Sequence, residues 1–269
     1  MNLFLLTDLE GISRVTDIEF MDRSSEKYQQ ARAFLSQDIN LAVKTAFESG
    51  ADAVYYLDGH GHGGNVIEEW IDPRAQKCSV AGWQQLLREG RIDCQIDLGS
   101  HARAGTVGGF LDHTFSSTKW FCHKINGIEM SELSFHALLC GAYGVPMVAC
   151  IGDEAACRQA KEYIPDIYVG AVKIAEKRNH ATPYENADAV LVRTVREALK
   201  NYQRVSLYRV DEPMTAELTF YRTDFCEEAL ARCGNDVRRI DARTLQRTIP
   251  KFVRYDDLKF IGEIKHDQN

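Results

Sequence analysis

The sequence predicts an α/β protein: a mainly parallel central sheet with helices on both faces, followed by a small C-terminal α+β subdomain. Three observations carry this. Short, continuously apolar runs such as Leu3 to Leu6 fit strands buried on both faces. Segments whose apolar residues recur at helical spacing alternate with them. The first two of these runs break into acidic or glycine-rich turns, the punctuation expected between strand and helix.

Asn2 to Thr7 is the first strand. In "EKYQQARAFLSQDINLAVKTAFESG" the residues Tyr28, Ala31, Leu35, Ile39, Ala42 and Ala46 share one helical face, and Gly50 sits where a glycine ends a helix. "DAVYYLD" is a second buried strand that breaks into a glycine-rich loop at Asp58, completing a β-α-β unit. The alternation continues with a strand at "CSVAG", a short helix around Gln84 to Arg88, a strand at "CQIDLGSH", a helix across Ser131 to Gly144 and a strand at "VPMVACIGD". A helix over Ala155 to Tyr163, a strand at "IYVGAVK" and a long helix from Tyr184 to about Tyr202 follow. "FSSTKWFCHKINGIEM" reads as a hairpin beside the main sheet, turning at Asn126-Gly127. From Val205 the pattern becomes strands at "RVSLYRV" and "TAELTFYRT", a helix at "DFCEEALARCG", a strand at "VRRID" and a last helix from Ala242. The expected division is residues 1–202 and 203–269.

A chain of 269 residues with 45% hydrophobic content can bury a large core. Its net charge of -7 and pI near 5.7, with no clustered Lys/Arg stripe, speak against nucleic acid as a partner. No run approaches the roughly 20 apolar residues of a membrane span, and the N-terminus lacks the basic start of a signal peptide. The 8 cysteines are scattered without a CxxC pair, so they read as reduced thiols of a cytoplasmic protein. Any metal must then be held by histidines and carboxylates.

Open α/β sheets bind ligands beyond the carboxyl ends of their strands. The first strand is followed there by Asp8 and Glu10, the second by Asp58, His60 and His62, and "CQIDLG" by His101 and Arg103. Each has an ordinary reading alone, as a turn former, a helix cap or a loop histidine. Asp8 and Glu10, however, lie two residues apart, so strand alternation puts two like charges on one side, where a cation or a proton must intervene. Together the groups fit a divalent metal site, zinc best among common metals. More than four ligands point to two ions, with Asp8 as the natural bridge.

The blocks "TDLEGIS", "DGH", "GSHARAGT", "GGFLDHTF", "INGIEMSE" and "GVPMVACIGDEAA" together resemble the zinc-dependent D-aminopeptidases encoded with dipeptide transport systems. Their order and spacing agree up to about residue 200, and the remainder matches loosely. The resemblance implies Asp8, Glu10, His60, His101 and Glu132 as ligands of two zinc ions, with other divalent metals as alternatives. It also implies His113 as the catalytic histidine and a ring-like homo-oligomer, with a decamer as one size. Glu132 comes from the resemblance alone, since by itself it reads as a first-turn helix carboxylate. His62, Gly63-Gly64 and Asp112 depart from the family pattern. Were Asp112 to accept a hydrogen bond from His113, it would raise that histidine's pKa.

The expected function is a metal-dependent aminopeptidase acting on short peptides that begin with a D-amino acid. His113 would serve as general acid/base, oxyanion donor or nucleophile. Asp58 or a metal-bound carboxylate would meet the substrate amino group, Arg103 a substrate carboxylate, and Asn65 and Asn126 the peptide amides. The rivals are a two-metal hydrolase of another class, either a phosphoesterase or a non-peptide amidohydrolase, and a non-catalytic binding protein on the same fold.

Overall fold

Alternation along the first two strands decides the layering. In β1 (Asn2–Thr7) Leu3 and Leu5 join one core while Phe4 and Leu6 join another. In β2 (Ala53–Asp58) Val54 and Tyr56 separate from Tyr55 and Leu57 in the same way. Successive strand side chains point to opposite faces, so strands apolar at every position need cover on both sides. The computed structural model, which describes residues 1–252 and Asp257, supplies that cover.

The main sheet runs in the order β3 (Ala75–Lys77), β2, β1, β4 (Cys94–Ser100), β7 (Met147–Asp153), β8 (Tyr168–Lys177) and β9 (His180–Pro183). Its pairs are parallel except the last, where β9 closes the edge antiparallel to β8. The first core is filled by α1 (Glu26–Glu48), α4 (Glu154–Tyr163) and α5 (Ala187–Lys200). Its α1 face is the predicted one: Tyr28, Ala31, Leu35, Ile39, Ala42 and Ala46 are all buried. The second core takes α2 (Val80–Arg88), α3 (Glu132–Ala142) and the inner face of a second sheet. That antiparallel sheet has the order β11 (Val237–Arg239), β12 (Thr244–Ile249), β10 (Met214–Phe220), β5 (Trp120–Ile125), β6 (Ile128–Glu129), with α6 (Thr223–Leu230) beside it.

Four local expectations change. The hairpin turns at Asn126 and Gly127, both at positive φ (49° and 80°), as a tight hairpin turn requires. It does not stand beside the main sheet, because β5 pairs with β10 and so founds the second one. "CSVAG" is not a strand: Ser79 accepts a hydrogen bond from the Gly82 N–H and thereby starts α2. "RVSLYRV" forms no ladder, since Ser206 bonds to Asp166 and the Arg209 guanidinium to the Gly141 carbonyl. The helix expected from Ala242 is instead β12, held between β10 and β11. The second sheet therefore joins residues from both sides of position 203, and residues 253–256 and 258–269 lie outside the described residues. Among the described residues no helix is long and apolar enough to cross a membrane.

Candidate metal centre

The chain leaves β1 toward β2 on one side, and β4 lies on the other. That reversal of strand order opens a crevice beyond the carboxyl ends. The loops there interlock closely: the Asp8 N–H donates to the Leu98 carbonyl (2.8 Å) and the Gly11 N–H to that of Gly99 (2.7 Å). A Cβ on Gly99, whose φ is +85°, would stand 2.0 Å from the Asp8 carbonyl oxygen, and one on Gly11 would stand 2.2 Å from that of Ser100. Only glycine allows this approach.

From that crossing the ligand candidates converge. Asp8 places Oδ1 3.1 Å from His60 Nδ1 and Oδ2 3.3 Å from His101 Nε2. Glu10 Oε2 is 2.8 Å from His60 Nδ1, and Glu132 Oε1 is 3.5 Å from His101 Nε2 and 3.7 Å from His113 Nε2. Two metal-capable groups result, Asp8/Glu10/His60 and His101/His113/Glu132, each with its donor atoms within 4.8 Å of one another. Asp8 presents one oxygen to each, because β1 lies between the strands that deliver His60 and His101.

Hydrogen bonding assigns the ring protons. Nδ1 of His101 faces the Ala102 carbonyl (3.0 Å) and Nδ1 of His113 that of Leu111 (2.8 Å). A carbonyl only accepts, so both Nδ1 atoms carry the proton and both Nε2 lone pairs are left to coordinate. His101 Nε2 is buried without a hydrogen-bond partner, its lone pair aimed at two carboxylates. A metal cation between them resolves that conflict, as a proton on Nε2 does in its absence, and the imidazole and carboxylate donors suit zinc. Burial opposes charge on Asp8 and Glu132, but the imidazoles of His101 and, for Asp8, His60 hold both carboxyls below the usual range. Burial likewise opposes charge on His60 and His101, yet Glu10 and Asp8 raise the first well above the ordinary imidazole value, and Asp8 and Glu132 raise the second.

Local structure aims each group. Glu132 is the first residue of α3, where Ser131 and Ser134 form a reciprocal cap, and its Oε1 also accepts the Phe115 N–H at 2.7 Å. Leu111 and Phe115 take positive φ (48° and 58°) on either side of His113, whose ring stacks on that of His101 at 4.1 Å. Such left-handed non-glycine residues gather where the surroundings impose a geometry. Asp112 does not bond His113: its carboxylate accepts from the Gly105 and Thr106 N–H groups (2.6 and 3.2 Å) and pairs with Arg178 Nε at 3.0 Å.

The other named residues are engaged in structure. Asn65 donates to the Asp58 carboxylate (2.7 and 2.8 Å) and to the His60 carbonyl (2.8 Å), and accepts from Tyr28. Arg103 pairs with Glu129 (3.2 Å) and Glu162 (3.6 Å). Asn126 ties the hairpin turn to Asp211 and Thr215, and His62 is exposed. Sequence reasoning passed over Lys173, a fully buried residue of β8 whose Nζ donates to the Glu10, Ile12 and Val15 carbonyls. Burial pulls its pKa down to about 7 while Asp153 and Glu10 pull it back up, and three carbonyl acceptors favour the charged form. A lone lysine closing the apolar run "IYVGAVK" was the available signal. Also passed over was the buried Asp97–His136 pair (2.8 Å), which shares a small cavity with Asp8, His101 and Glu132.

Known proteins resemble this chain over most of its length. A D-aminopeptidase of Bacillus subtilis (strain 168) is 30% identical over 210 residues, which span 76% of each chain. The solved structure of a zinc-dependent D-aminopeptidase from Bacillus subtilis, described as a self-compartmentalizing protease, superposes with a TM-score of 0.87 at 24% identity, covering 96% of this chain and 95% of that one. The family model described as D-aminopeptidase matches residues 1–256, and the chain therefore belongs to the D-aminopeptidase family.

Proposed function

We propose that the protein is a zinc-dependent aminopeptidase that removes the first residue of short peptides, with preference for the D-configuration, at a centre of two zinc ions. The Asp8 carboxylate carries the two-ion reading, since it turns one oxygen to each of two ligand groups. Asp8, Glu10, His60, His101 and Glu132 are the ligands. Zinc, when bound, supplies Lewis acidity toward a peptide carbonyl and toward water.

The chain's own groups do the rest. His113 keeps its Nδ1 proton on the Leu111 carbonyl and offers Nε2 to the reaction, as base first and then as acid to the departing amine. A positioned acid/base of this kind typically contributes 10²–10⁴-fold. The carboxylates at the sheet edge draw in the cationic amino group of the substrate. Asp58 and Asn65 serve by bracing the loop of His60, while Arg103 and Asn126 serve the surrounding structure through their bonds to Glu129, Glu162, Asp211 and Thr215. The self-compartmentalizing relative supports a closed homo-oligomer, for which a ring of ten in the cytoplasm is our proposal. One observation favours a second reading of His113, as a further ligand, because its Nε2 belongs to the group formed with His101 and Glu132.

The test is a zinc-reconstituted screen of paired D- and L-aminoacyl amides beside an aryl phosphate. Chelator-sensitive turnover of the D-amides is expected. Equal rates on both isomers would remove the D-preference, and turnover of the phosphate alone would remove the peptidase reading.

A further inference from the structure

Lys173 is the buried charged group for which the proposed chemistry has no use. It stands in β8 with no solvent exposure. Its three ammonium protons meet three backbone carbonyls, those of Glu10, Ile12 (2.8 Å) and Val15 (2.6 Å). All three belong to the loop that follows β1 and carries Asp8 and Glu10. Nζ also lies 4.2 Å from the ring centre of Phe110, close enough for cation–π attraction. Phe110 begins the turn to His113, and its N–H is anchored on Asp153 Oδ2 at 3.1 Å. One side chain thus grips the two loops from which Glu10 and His113 project.

Burying an ammonium is costly, and an apolar residue would suit a strand position packed against Phe110. The geometry that the charge imposes on the loops is what a methionine there could not supply. We infer that Lys173 is a positioning residue that sets the Glu10 loop and the His113 loop to a common centre, so that metal affinity and His113-dependent turnover both depend on it. This inference rests on the metal-centre reading above.

The experiment compares zinc affinity, by competition with a chromophoric chelator, and kcat in the full-length wild-type chain, in Lys173→Met and in Leu35→Ala. Leu35→Ala is the control, a destabilised core variant far from the loops in sequence. The expected result is that Leu35→Ala retains wild-type affinity, whereas folded Lys173→Met binds zinc 10–100-fold more weakly, the usual loss when a group supporting a ligand is removed, with kcat reduced as well. Affinity in Lys173→Met equal to that of Leu35→Ala overturns the inference. If Lys173→Met does not fold, Lys173→Gln, a neutral donor of two hydrogen bonds, is read by the same criterion. A wild-type chain that takes up no zinc overturns the metal reading and this inference with it. A wild-type chain that binds zinc but cleaves no peptide overturns the peptidase reading alone, and the affinity comparison still decides the role of Lys173.

Discussion

At Asp8 one carboxylate meets two imidazoles that arrive from different strands, His60 at 3.1 Å and His101 at 3.3 Å. Removing it takes away the carboxylate that turns one oxygen toward each metal-capable group, so Asp8→Ala is expected to lose zinc and activity together. His113→Ala is expected to keep its zinc and lose turnover by about 10²–10⁴-fold. Elemental analysis of the two purified variants separates these roles, and a zinc-poor His113→Ala would make that histidine a ligand. At this scale the sequence was informative about Asp8, Glu10, His60 and His101, because each directly follows a strand it identifies. It was silent about Asn65 and Asp58 as braces, since nothing local shows that the Asn65 amide reaches the His60 carbonyl.

Among the elements, α1 is the most legible: its periodic apolar face packs on the sheet as expected, with Ser25 capping its start. Leu35 is fully buried on that face. Leu35→Ala should therefore cost about 2–5 kcal/mol by loss of transfer energy and creation of a cavity, measured as a lower denaturant midpoint at unchanged slope. By contrast β12 was misread as helix. In "TLQRTI" alternation is weak over six residues, and what makes it a strand is the pairing of both its edges, with β10 and with β11. Ladder pairing of this kind is a tertiary decision that outweighs local propensity.

For the whole molecule, the second sheet closes over α3 and buries His123 of β5 against Trp120 and Phe135. Burial pushes the His123 pKa down to about 3 from 6.5. The unfolded chain then binds a proton that the folded chain refuses between those values, so stability is intact above about pH 6.5 and is lost as pH falls toward 3. The slope from this residue is at most about 1.4 kcal/mol per pH unit. Urea unfolding across that range should show the loss, and His123→Leu should flatten it relative to wild type. An equal slope in the two proteins would place the acid sensitivity in other groups.

The sequence by itself determined the parallel α/β sheet, the strand ends that bear the acidic and imidazole groups, and the need for a cation or a proton between Asp8 and Glu10. These follow from periodicity, from glycine at turns and from like charges two residues apart, all of which are local. Only the tertiary structure decided that β1 lies between β2 and β4 and so lets Asp8 face both histidines. It alone decided too that Phe115 and Ser131 orient Glu132, and that Lys173, some 160 positions further along the chain, bonds the Ile12 and Val15 carbonyls of the loop after β1. Such contacts depend on chain crossings and hydrogen bonds between distant segments, which no pattern within one segment encodes.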